Sequence, residues 1–266
     1  MMKPKSSPKS HRFLRAAGYT IAAMIWVAAT TIASQLVLGY AMLFMLGANT
    51  LNQPVWTAVY SALSYVLAMV LIIIVPLAFQ RKKLKQGAKD EKSTKPSLSR
   101  NELGLRGLPT WTDIGLAPAG FFVYVILSSI ITSLFSLFPW FNATEAQNVG
   151  FSIYINGFDR IIAFFTLVVV APIAEEIIFR GWLYGKLRAR FNSEISNLFS
   201  TIIATFLVSL LFGILHLQWN VSVDVFALSI VLCVLREITG TIYAGILMHM
   251  LKNGIAFYLL YVLGLS

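Results

Sequence analysis

From Ala16 to Gln80 the chain carries no charged side chain, and that silence limits its fold more than any other feature. The run has room for two bilayer crossings of about 20 residues each and a turn between them. Inside a bilayer each backbone amide must find its partner within the protein, which restricts spanning elements to helices and closed barrels. Read as helices, the apolar runs lie at 16–46, 55–79, 114–140, 161–182, 198–219, 223–235 and 242–263. The sixth is short for a full crossing, and Pro118 and Pro172 offer break points in the third and fourth. The expectation is an all-α polytopic transmembrane helix bundle of about seven to eight helices.

Composition agrees: 58% of residues are hydrophobic and 12% charged. A formal net charge of +10 suggests nucleic acid until its placement is considered. Five of the 21 Lys and Arg residues precede the first apolar run, and nine more lie between Arg81 and Arg106. That is the pattern of cytoplasmic loops under the positive-inside rule, so the lipid bilayer is the expected partner and nucleic acid is not. The N-terminus and the 81–106 region are then cytoplasmic, as is the later loop with Lys186, Arg188 and Arg190. The first apolar run is too long for a signal-peptide core and reads as a retained span. The expected location is the plasma membrane of a bacterium, as a multi-pass protein. The first part of 81–113, rich in Lys, Ser, Pro and Gly, reads as a flexible cytoplasmic linker. Residues 1–110 thus form a basic tail, two spans and a linker, and 111–266 a membrane core. The lone Cys233 has no disulfide partner and reads as a packing residue.

Glu175 and Glu176 interrupt one of the most apolar stretches, residues 165–180. A charge at the centre of a membrane helix costs about 2.5–3.5 kcal/mol on insertion scales, so adjacent acids there need a reason. Residues at i and i+4 face each other on a helix, which pairs Glu176 with Arg180. Glu175 is rotated by about 100° and points elsewhere. The purely structural alternative has both acids making only salt bridges, to Arg180 and Arg236. His216 follows Phe212 at i+4, and His249 and Asn253 form another i,i+4 pair. A carboxylate base, an imidazole and two oxyanion donors suffice for amide hydrolysis. One conflict stands. The charge-based orientation puts Glu175 between the membrane centre and the cytoplasmic end of helix four, but His216 near the outer end of helix five.

Three motifs follow in order: Glu175-Glu176-Ile-Ile-Phe-Arg180, Phe212-Gly-Ile-Leu-His216 and His249-Met-Leu-Lys-Asn253. Together they resemble the CAAX protease and bacteriocin-processing (CPBP, or Abi) membrane proteins, which include the type II CAAX prenyl endopeptidases. The phrase Glu-Leu-Gly-Leu-Arg at 102–106 looks like that family's lead-in, and the resemblance covers roughly 101–261. It implies an intramembrane endopeptidase acting on a membrane-associated peptide or protein, prenylated or bacteriocin-like. Glu175 would activate water with help from His216, and His249 and Asn253 would stabilise the oxyanion. Glu176 and Arg180 would hold the helix and the base. Members are often described as metalloproteases, and Glu175, His216 and His249 make a conceivable zinc set. The absence of His-Glu-x-x-His spacing favours a mechanism with no obligatory cofactor. Lys252 departs from the family pattern, and Asp224 and Glu237 are its candidate partners. The chief rival is a catalytically silent immunity or scaffold protein that keeps the family core. A proton-coupled transporter ranks last, since no duplicated halves are present.

Overall fold

A computed structural model describes residues 9–51, 53–87, 100–145 and 157–264. Among these the regular structure is entirely helical: α1 (Lys9–Leu46), a single turn at Ala48–Leu51, α2 (Pro54–Gly87), α3 (Trp111–Phe135), α4 (Gly157–Asn192), α5 (Asn197–Ile214), α6 (Trp219–Thr239) and α7 (Tyr243–Val262). Six of them, all but the single turn and α6, are long and apolar enough to cross a membrane. The chain is an integral membrane protein. Its outer surface agrees, since Ile25, Leu36, Val123, Ile202 and Phe206 are all exposed, an arrangement suited to hydrocarbon rather than water.

α6 is the inner helix. It carries Asp224, Arg236 and Glu237, buries ten side chains from Val221 to Leu235, and packs on α3, α5 and α7. It runs for 21 residues, longer than its apolar stretch suggests. Its polar ends simply continue the hydrogen-bond ladder, giving about 32 Å at 1.5 Å per residue. The first two helices pair as a hairpin, and Ala23, Val27, Ala68 and Ile72 bury against Ile178, Phe179 and Leu183 of α4.

Neither proline breaks its helix. Pro118 lies within α3, where the missing N–H costs the ladder a single bond. Pro172 sits between two π-helical stretches, Phe165–Val170 and Ile177–Tyr184. A π turn shifts bonding to i−5, and this change of register gives the missing N–H a place to fall. α2 runs on to Gly87, so the beginning of the expected linker is helical. Its remainder at 88–99, the tail residues 1–8 and the loop residues 146–156 lie outside the described residues.

The depth conflict over His216 disappears once helix lengths are known. α4 is 36 residues long and α5 only 18, with a short turn joining Asn192 to Asn197. Glu175 therefore lies roughly 26 Å along α4 from that turn, and His216 roughly 28 Å along the returning chain, at about 1.5 Å per residue. They stand at one level because α4 continues past its apolar run, through its basic end, to Asn192 before the chain turns back.

The loop before α3 docks on the turn between α6 and α7. Ile242 N–H donates to the Gly104 carbonyl at 3.1 Å. Gly104 and Gly240 both adopt left-handed backbone, with φ of +69° and +67°, a region glycine enters without steric penalty. A Cβ on Gly104 would stand 2.6 Å from Arg236 Cζ, and one on Gly240 would collide with the Arg106 guanidinium. Each arginine thus fills the space that the other segment's glycine leaves open. The hydroxyl of Thr241 also donates to Asp113 Oδ1 at 3.2 Å, and Asp113 closes the capping box of α3 with Thr110. This lattice sets where α7 starts, and hence where His249 stands.

Candidate active site

The one-residue offset on α4 sends its two carboxylates in different directions. Glu176 and Arg180 are fully buried, and Arg180 Nη1 donates to Glu176 Oε1 at 3.0 Å. The same oxygen lies 3.1 Å from His249 Nδ1. The acceptor-only carboxylate places a proton on Nδ1. The Arg180 guanidinium lies 4.5 Å from the centre of the Phe212 ring, a cation–π contact in a dry setting. Phe212 also meets His216 edge-on at 4.9 Å between ring centres. α7 approaches closely because residue 245 is glycine: a Cβ there would stand 3.1 Å from Glu176 Oε2.

Glu175 faces a cavity instead. This cavity, of about 260 Å³, is lined by Glu175, His216, His249, Lys252 and Asn253 on its polar side. Leu167, Ala171, Ala256, Phe257 and Leu260 contribute an apolar side. Glu175 Oε1 accepts from the Tyr65 hydroxyl at 2.7 Å, while Oε2 lies 3.7 Å from His249 Nε2. His216 follows the end of α5, with Nδ1 2.8 Å from the Phe212 carbonyl. Bonding there leaves Nε2 as the free ring nitrogen. Asn253 Nδ2 donates to the Leu167 carbonyl at 2.9 Å, which fixes the carboxamide between α7 and α4. All the residues of the three motifs therefore converge on one region, with Glu176, Arg180 and Phe212 packed behind it.

Lys252 takes one of its two candidate partners. Its Nζ lies 3.5 Å from Asp224 Oδ2, and Asp224 Oδ1 accepts from Tyr124 at 2.7 Å and Ser128 at 2.6 Å. Glu237 belongs to the other end of α6, bonded to Arg188 at 2.9 Å and Tyr184 at 2.8 Å. Arg236 is no partner for the paired acids, since it donates to the Glu102 carbonyl at 3.3 Å. Tyr65, Tyr124 and Ser128 were not legible in the sequence. A tyrosine or serine in an apolar run has no spacing that links it to an acid some 100 residues away.

Among the described residues no three His, Cys, Asp or Glu side chains come together in a way that would hold a metal ion. Glu175, His216 and His249 share the cavity without forming a ligand set. A larger cavity, of about 460 Å³, lies near the far end of α4 among Lys186, Arg188, Arg236 and Glu237. It contains no histidine, and Arg188 and Glu237 are already paired there. The polar residues of the three motifs that face a cavity line the smaller one.

Residues 157–255 match the family model of the type II CAAX prenyl endopeptidases, Rce1-like. This segment is an Rce1-like domain. It carries all three motifs, and over these residues the chain is similar to the CAAX-type intramembrane proteases. The match is narrower than the 101–261 of the sequence resemblance and leaves out α1, α2 and α3. No curated protein and no solved structure matches the chain. Within that segment, Glu175, His216, His249, Lys252 and Asn253 line the cavity. Tyr65 reaches it from outside.

Proposed function

We propose that this protein is an intramembrane endopeptidase in which Glu175 activates water to attack a peptide bond. One observation carries this reading: of two adjacent acids, Glu176 is buried and committed to Arg180 and His249, while Glu175 opens into a cavity shared with His216, His249 and Asn253. Glu175 takes a proton from water as hydroxide adds to the carbonyl carbon, and His216 Nε2 helps to hold that water. Asn253 and His249 meet the oxyanion as it forms. His249 Nε2 donates only when the ring carries both protons, because Nδ1–H is directed at Glu176. When the C–N bond breaks, the proton held by Glu175 passes to the leaving amine. No step is routed through a metal.

The substrate is a membrane-associated peptide or protein. The match to the type II CAAX prenyl endopeptidases and the apolar wall of Leu167, Phe257 and Leu260 support one with a prenyl group near the cleavage site. The test is hydrolysis of a library of lipid-modified peptides by purified protein in lipid nanodiscs. Wild type is expected to cleave, and Glu175→Gln to lose about 10²–10⁴-fold in turnover. Equal cleavage by both would remove Glu175 as the base. No cleavage by either would favour a silent member that keeps the family core.

A further inference from the structure

We infer that Tyr65, on the N-terminal hairpin, is a positioning residue for Glu175: it anchors Oε1 so that Oε2 is the oxygen presented to water. This rests on the reading of Glu175 as the base. Tyr65 belongs to α2, outside the segment that matches the Rce1-like family, and nothing in the three motifs points to it. Its hydroxyl nevertheless lies 2.7 Å from Glu175 Oε1 across 110 residues of sequence, the length of a hydrogen bond to an ionised carboxylate.

The need for an anchor comes from the side chain itself. A glutamate's terminal torsion is broad and nearly two-fold, so packing alone does not choose which oxygen faces outward. His249 Nε2, at 3.7 Å from Oε2, is too far to hold it. Among the described residues, Tyr65 makes the one hydrogen bond to this carboxylate. α2 is itself held in place, with Ala68 and Ile72 buried in the same core cluster as Ile178 and Phe179 of α4. The tyrosine ring is thus delivered on a rigid element, the condition for holding a catalytic group to a fraction of an ångström. The first hairpin, apolar by composition, then supplies part of the catalytic geometry as well as an anchor in the bilayer.

The experiment compares full-length wild type, Tyr65→Phe, Tyr60→Phe and Glu175→Gln in nanodiscs with the lipid-modified peptides. Tyr65→Phe keeps the ring and removes the bond, and kcat should fall about 10- to 100-fold with KM within about twofold. Tyr60→Phe is the control from the same helix, since Tyr60 donates to the Gln35 carbonyl on α1, and its turnover should match wild type. A second readout needs no turnover: the infrared carboxylate band that disappears in Glu175→Gln should shift in Tyr65→Phe. An unshifted band, an unchanged kcat, or a loss confined to KM would overturn the inference. So would a loss matched by a fall in thermal stability. If Glu175→Gln is inactive while Tyr65→Phe is not, only the positioning role fails. If Glu175→Gln turns over normally, the base assignment fails and the positioning role with it.

Discussion

Replacing Glu176 by glutamine tests the division of labour between the adjacent acids. Glu176 and Arg180 have no solvent exposure and pair at 3.0 Å. Removing one member of such a buried pair costs about 3–5 kcal/mol, because the surviving charge has neither water nor counter-charge. Glutamine keeps the volume and an accepting oxygen for Arg180 and His249, which puts the loss near the lower end, about 3 kcal/mol. At about 2–4 °C per kcal/mol for a large domain, Tm should fall by roughly 6–12 °C. Glu175→Gln is the contrast. Its side chain is 14% exposed and Tyr65 can still donate to the amide oxygen, so Tm should move by no more than about 3 °C while turnover collapses. Thermal unfolding in nanodiscs, run beside peptide hydrolysis, reads both quantities on the same samples. Replacing Glu176 and Arg180 together by apolar residues should recover part of the lost stability. Equal loss of turnover in both single variants, with Tm unchanged in each, would refute the argument.

Gly245→Ala should cost about 1–3 kcal/mol, read as Tm, because its Cβ would press to 3.1 Å from Glu176 Oε2 in a packed interior. Asn253→Ala should lower kcat by about 10²–10³ with little change in KM, and a strong chelator should leave wild type active. Activity lost to chelator and restored by zinc, beside a mild Asn253→Ala defect, would reverse that mechanism.

Much of the fold is written in local patterns. Each apolar run contains a helix, because a bilayer leaves the backbone few other ways to satisfy its amides. The Glu176–Arg180 pair was legible for a similar reason, since i and i+4 meet on any α-helix whatever surrounds it. Phe212 and His216 also meet, although His216 stands two residues past the end of α5. The extent of α6 was not legible, because hydropathy sees only its apolar middle and not the polar ends that prolong the helix.

What the sequence determined by itself is the helical inventory, the polar residues that have no business in lipid, and their partners one turn away. Only the tertiary structure decided how far each helix slides and rotates against its neighbours. That brought His216 level with Glu175, put Tyr65 on a carboxylate 110 residues distant, and laid Arg236 across Gly104 rather than beside the paired acids. The physical reason is the range of the two kinds of interaction. Helix geometry repeats every 3.6 residues and can be read along the chain. Depth and rotation depend on the summed packing of all the helices, to which no single stretch of sequence contributes more than a part.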